Sequence, residues 1–152
     1  MKELICTNTG NTVVINCAPT KSVQKLKNVI FNEIKKSPIG IKLVNGDKTL
    51  FEKDLDFTGI IDFIKNTLIG IDTSEEFNDA IFECLQYCTY KKVYKIDEAL
   101  FDNDVVPEAR EDYYEIIFCC IEENLRPFIK SLISTWKTHI KVMNFVQQLS
   151  TM

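Results

Sequence analysis

The sequence is short of the residues that break a chain or do chemistry. It has 5 glycines, 4 prolines, one histidine and one tryptophan in 152 residues. So little glycine and proline argues against a linker, a low-complexity stretch or global disorder. The single histidine, His139, sits between Lys137 and Lys141, as a solvated or interface residue would, and no nucleophile accompanies it. Long apolar runs are missing as well. The longest candidate, Phe57 to Ile71, is interrupted by Asp62, Lys65 and Asn66, and falls short of the ~20 residues that cross a bilayer. The start, Met1 to Thr7, turns polar at once, unlike a secretory signal. A soluble protein in a reducing compartment is the expectation.

Charge of one sign is also lacking. There are 18 basic and 22 acidic side chains, a net charge of −4. A mildly acidic protein repels phosphate backbones, so nucleic acid is a poor default partner. Lys21, Lys25, Lys27, Lys35 and Lys36 cluster, but as a solvated helix face. No GxGxxG, GxxxxGK[ST], HExxH or GxSxG occurs. The pairs Glu75-Glu76, Glu111-Asp112 and Glu122-Glu123 read as solvated faces and helix-dipole partners. We expect no enzyme and no cofactor.

What is present is a globular composition, 45% hydrophobic and 26% charged. A chain this long buries roughly 70% of its unfolded surface, enough for a core without metal or disulfides. The six cysteines are Cys6, Cys17, Cys84, Cys88, Cys119 and Cys120. We expect them reduced, buried and free of metal. Cys84 and Cys88 fall on one apolar stripe, and neighbours such as Cys119 and Cys120 point about 100° apart on a helix, a poor zinc geometry.

The periodicity predicts an α+β fold: a small N-terminal β-hairpin or sheet packed on a mainly helical bundle with long C-terminal helices. One domain should cover 1–152, with a β-rich start over about 1–51 and a helical remainder. Leu4-Ile5-Cys6 and Val13-Val14-Ile15 are β-prone, with turn residues Asn8 to Asn11 between them. A helix follows from about Ser22 to Lys36, with Val23, Leu26, Val29, Ile30 and Ile34 on one face, and Ser37-Pro38 ends it. Ile41 to Val44 and Thr49 to Phe51 could be further strands, and 56–69 a second helix. Thr73 to Glu76 reads as a capping box with Thr73 at the cap. The helix after it carries Phe77, Ala80, Ile81, Cys84, Leu85 and Cys88. Tyr90 to Tyr94 is a strand or an extended link, and Asp97 to Phe101 one helical turn. Pro107 suits a first helical position. From there Tyr113, Ile116, Ile117, Cys120, Ile121 and Leu125 form a stripe, with a kink or break expected at Pro127. Phe128 to Ile140 continues it, and Val142, Met143, Phe145 and Val146 extend its apolar character.

Aromatic residues are dense in the second half, and tryptophan and tyrosine are enriched at interface centres. The final helix is apolar on two sides. Trp136, Ile140, Met143, Phe145 and Val146 are therefore the candidate partner-binding residues. The same helix could instead fold back and complete the monomer's core.

Four stretches carry a family resemblance: Val13 to Pro19, Glu75 to Cys84, Ala109 to Ile116, and Glu123 to Phe128. In this order they make the chain resemble the small tail assembly chaperones of long-tailed bacteriophages, or prophages, of Gram-positive bacteria. It departs at Cys17, where a proline is expected, and in a longer stretch after Trp136. The resemblance implies a non-enzymatic protein of the bacterial cytoplasm. It would coat the tape measure protein, keep it soluble and be displaced as the tail tube polymerises, and so be absent from the mature virion. Its partners would be the tape measure protein, with the tail tube protein as a further candidate, and other copies of itself. Neither nucleic acid nor membrane is implied. The alternative is a structural head–tail connector or tail-completion protein, which would be found in purified particles.

Overall fold

The computed structural model describes residues 1–35, 66, 74–102 and 104–150, apart from the side chains of 31, 33–35, 132–133 and 135–150. Two short strands begin it, β1 (Lys2–Ile5) and β2 (Thr12–Ile15), followed by helix α1 (Thr20–Lys35). Then come α2 (Glu75–Leu85), β3 (Thr89–Tyr90), β4 (Tyr94–Lys95) and α3 (Glu98–Asp102). A 3-10 turn over Pro107–Asp112 leads into α4 (Tyr113–Ser150). The α+β expectation holds. The predicted strands at 41–44 and 49–51 lie outside the described residues. So does the predicted helix at 56–69, except for Asn66, which is helical.

The N-terminal hairpin forms where its turn signals place it. Lys2 pairs with Ile15 and Ile5 with Thr12, antiparallel. Gly10, at φ +74°, supplies the left-handed residue of the turn, and its amide donates to the Cys6 carbonyl at 2.8 Å. The sheet does not end with that hairpin. Its order is β1-β2-β3-β4, all antiparallel, so β3 joins from far along the chain. Strands β3 and β4 thus belong to the same sheet although they lie beyond the β-rich start expected over about 1–51. A two-stranded hairpin is marginal alone, and β3 gives β2 a second partner.

Alternation along β2 turns Val13 and Ile15 into the core. Val23, Leu26 and Ile30 of α1 meet them, with Phe77, Ala80, Ile81, Cys84 and Leu85 of α2. From α4 come Ile116, Ile117, Cys120, Ile121, Leu125 and Ile129. A fully buried Ile, Leu or Phe contributes roughly 1.5–3 kcal/mol.

Several boundaries move. The cap of α2 is Ser74, not Thr73: its hydroxyl accepts from the Phe77 amide at 3.4 Å. The residue three past that cap is therefore Phe77, and no capping box forms. Cys88 lies beyond the end of α2, although it is buried as expected. Tyr90 to Tyr94 is a complete hairpin. Pro127 does not break α4, whose helix runs through it over 38 residues. Of the cysteines, Cys17 is exposed, which corrects the expectation for it, and the other five are buried. It follows β2 in the connection to α1, whereas the others occupy core-facing positions.

Candidate functional site

The polar groups of this fold concentrate where its N-terminus meets α4. Three successive turn residues grip the start of that helix. The Thr7 amide donates to both Glu115 carboxylate oxygens, at 3.0 and 3.2 Å. Asn8 Nδ2 donates to the Glu111 carbonyl at 3.0 Å. Thr9 Oγ1 donates to Asp112 Oδ2 at 2.6 Å.

Asp112 is the centre of the cluster. It is fully buried, and the Tyr90 hydroxyl donates to the same Oδ2 at 2.6 Å. Asn11 Nδ2 in turn donates to the Tyr90 oxygen at 2.9 Å. One carboxylate therefore joins the β1–β2 turn, strand β3 and the entry to α4. Asp112 Oδ1 is buried with no hydrogen-bond partner among the described residues. The first turn of α4 lies beside it, and the partial positive charge of a helix start favours a carboxylate there. The reading of Glu111-Asp112 as a solvated pair is corrected for Asp112. The 3-10 turn that begins at Pro107 carries Asp112 to the inside. Burial and the Asp112 charge push the neighbouring Cys6 thiol up to about 12. Burial and the hydrogen bond to Asp112 do the same to the Tyr90 hydroxyl, also to about 12.

A second cluster fastens the link between β2 and α1. Asn124, buried on the apolar stripe of α4, accepts from the Ala18 amide through Oδ1 at 2.8 Å. Its Nδ2 donates to the Cys120 carbonyl at 2.8 Å. Asn16 Nδ2 donates to the Tyr87 carbonyl at 2.9 Å, and the Cys88 thiol donates to the Asn16 carbonyl at 3.7 Å. Asn124 went unnoticed in the sequence, yet the signal was there: a polar residue four after Cys120, on an otherwise apolar stripe. Asp112 offered no such signal.

Two of the lysines that cluster in the sequence have described contacts. Lys25 pairs with Glu83 at 3.2 Å, while Lys27 lies over the Phe128 ring, 5.7 Å from its centre. Glu122 and Glu123 both meet Arg126, and Glu123 also meets Lys2 at 3.4 Å. Among the described residues, no group of three or more His, Cys, Asp or Glu could hold a metal ion. No helix among them is long and apolar enough to cross a membrane. A cleft of about 270 Å³ opens beside β4, lined by Tyr94, Leu100, Val105 and Val106 together with Lys95, Asp97 and Ala99.

The predicted partner-binding residues Trp136, Ile140, Met143, Phe145 and Val146 all lie on the second half of α4, on helical backbone. Their side chains lie outside the described residues, as does that of His139. In comparisons with known proteins, the chain matches no family model, no curated protein and no solved structure.

Proposed function

We propose that this chain is a non-enzymatic assembly chaperone of a long bacteriophage tail. It binds the tape measure protein and keeps it soluble while the tail tube forms. In this reading it works in the host cytoplasm, self-associates, and leaves before the virion is complete. Besides the sequence resemblance, the length of α4 supports the proposal. Its 38 residues span about 57 Å at 1.5 Å per residue. A compact domain of this size has a diameter of roughly 40 Å. Ile129 is buried in the core, and the helix backbone runs on to Ser150. The sequence from Trp136 onward is apolar on two sides, which suits a helix that docks on another helix. A tape measure carries long apolar helical stripes that aggregate alone, and many copies of a small acidic domain could shield them.

Two of the stretches that carry the resemblance meet in the fold. Val13 to Pro19 meets Glu123 to Phe128 through the Ala18–Asn124 hydrogen bond. Ala109 to Ile116 holds the N-terminal turn through Asp112 and Glu115.

Co-expression of the full chain with a tape measure protein tests the proposal. The tape measure should be soluble only with the chain present, and the chain should be absent from purified particles. A tape measure that stays insoluble overturns it. Stoichiometric copies in particles would instead favour a head–tail connector. Truncation after Ser134 should leave a folded protein that has lost its partner. If the truncated chain unfolds and the full chain never associates, the end of α4 belongs to the monomer's own core.

A further inference from the structure

Strand β4 (Tyr94–Lys95) is the last of the sheet, and among the described residues no strand pairs with its outer side. Such an edge presents backbone donors and acceptors that template a further strand. Every residue from Lys91 to Lys95 is exposed, as are Asp97 and Glu98, while Ile96 turns into the core. Val93 is 78% exposed and Val105 70%, large values for apolar side chains. The cleft of about 270 Å³ opens beside the strand, with Tyr94 and Val105 in its lining. The segment is also polarised. Lys91, Lys92 and Lys95 precede Asp97 and Glu98. Lysines alone guard a sheet edge against pairing. A run that is basic at one end and acidic at the other is complementary to itself when antiparallel.

We propose that β4 is a self-association edge, where a second copy of this chain adds antiparallel across a two-fold axis through Tyr94. Two four-stranded sheets then join into one. The register follows from backbone geometry. In an antiparallel pair, residues directly opposite either both turn their backbone groups towards each other or both away. For identical strands the axis must then pass through a residue, not between two. Through Lys95 it would set two lysines face to face, and through Val93 it would set Lys91 against the second copy's Lys95, both unfavourable. Through Tyr94 it sets two tyrosines side by side at the centre, where tyrosine contributes most to an interface. Val93 then faces the second copy's Lys95, and Lys91 its Asp97, with Lys92 and Glu98 alongside. Lys91 pairs with Glu108 and Lys92 with Glu3 within the chain, but surface pairs of this kind exchange at little cost. This edge is not part of α4, and nothing in it depends on the chaperone reading.

A ladder of about three residues with one aromatic pair makes a small interface, so the dimer should be weak, with a Kd of roughly 10–100 μM. Sedimentation equilibrium of the full chain, with no other protein present, tests this. Cys17→Ser is carried throughout, since Cys17 is exposed and would couple by itself. Val93→Lys puts a lysine opposite the second copy's Lys95, once on each side of the axis, and should weaken the dimer roughly tenfold, whereas Val93→Glu should tighten it. Because Val93 is so exposed, neither change should alter the circular dichroism of the monomer.

A crosslink checks the register. Opposite residues at the axis lie about 4.5–5.5 Å apart between Cα atoms, within reach of a disulfide. Tyr94→Cys should therefore form a linked dimer on air oxidation much faster than Val105→Cys, which is exposed but off the axis. The proposal is overturned if the chain stays monomeric to roughly 1 mM. It is also overturned if the two Val93 variants leave Kd unchanged or move it in the same direction, or if Val105→Cys couples as fast as Tyr94→Cys. The crosslink needs neither Val93 variant, so a variant that fails to fold leaves the test intact.

Discussion

Cys17 donates its thiol to the Glu123 carbonyl at 3.8 Å, and Glu123 is four residues before Pro127 in α4. That carbonyl is the acceptor the proline has no amide to fill. The connection after β2 therefore docks on the helix where its own ladder is interrupted. Asn124 takes the adjacent Ala18 amide.

Pro127→Ala should stabilise the protein. Alanine restores the amide to Glu123 and suits a helix interior, a gain of about 1–3 kcal/mol. A higher denaturant midpoint at unchanged slope is the expected result. A lower midpoint would mean that Phe128 and Ile129 depend on the proline for their packing direction.

Asn124→Ala should do the opposite. It leaves the Ala18 amide without its acceptor in a site where Asn124 is 2% exposed. An unsatisfied buried donor costs about 1–3 kcal/mol, or a melting temperature lower by roughly 3–10 °C. Thermal unfolding followed by circular dichroism measures it, and an unchanged transition would contradict the assignment.

Stability should fall steeply in alkali. Burial raises Cys6 and Cys84 from 9.0 to about 12 and Cys119 to about 11. Tyr90 rises from 10.0 to about 12, chiefly through burial. The folded chain keeps these protons after the unfolded chain has lost them. Their stabilisation is whole below pH 9 and is lost as pH climbs from 9 towards 12, each group adding up to one proton to the slope. Urea midpoints measured with reductant from neutral pH to about 11 should stay level and then drop. Tyr90→Phe should soften the part above pH 10. A midpoint that is level throughout would refute the linkage.

The β3–β4 turn holds a different kind of cost. Lys91 and Lys92 sit at φ +56° and +63°, closed by the Val93 amide donating to the Tyr90 carbonyl at 3.2 Å. A side chain in that region costs roughly 1–2 kcal/mol, part of which glycine returns as chain entropy. Lys92 also pairs with Glu3 at 3.7 Å, but both are well exposed and such pairs contribute little. Lys92→Gly should therefore raise stability by about 0.5 kcal/mol, while Lys92→Val, β-branched, should lower it by more than that. The reverse order in equilibrium unfolding would show that the lysine is not strained.

These two turns explain what could be read from the sequence. The first hairpin was legible because Asn8 to Asn11 carries the residues that favour tight turns. The second was not recognised as a hairpin, since Lys91-Lys92 gives no such signal and only ion pairs to Glu108 and Glu3 mark the site. The α2 stripe was legible residue by residue, because the 3.6 period fixes which positions face inward. Its cap was misread by one residue, because Thr73 and Ser74 both suit the position. The polar clusters were not legible. Asp112 meets Thr9 across a separation of 103 residues, and nothing local predicts that contact. Pro127 announced an interruption, but not that the connection after β2 would dock on it.

That separation also sets a timetable for the growing chain. Strand β2 is complete long before Tyr90, its neighbour in the sheet, and before Asp112, the acceptor for its turn. At about 5–20 residues per second, a ribosome leaves the N-terminal hairpin waiting roughly 5–20 s for them. During that interval the hairpin offers an open apolar edge to whatever nascent chain is nearby. Where several ribosomes share one message, the first partner it meets can be the same segment of a sister chain. The arrangement that ties the hairpin to Tyr90 and Asp112 thus makes its early residues wait on much later ones.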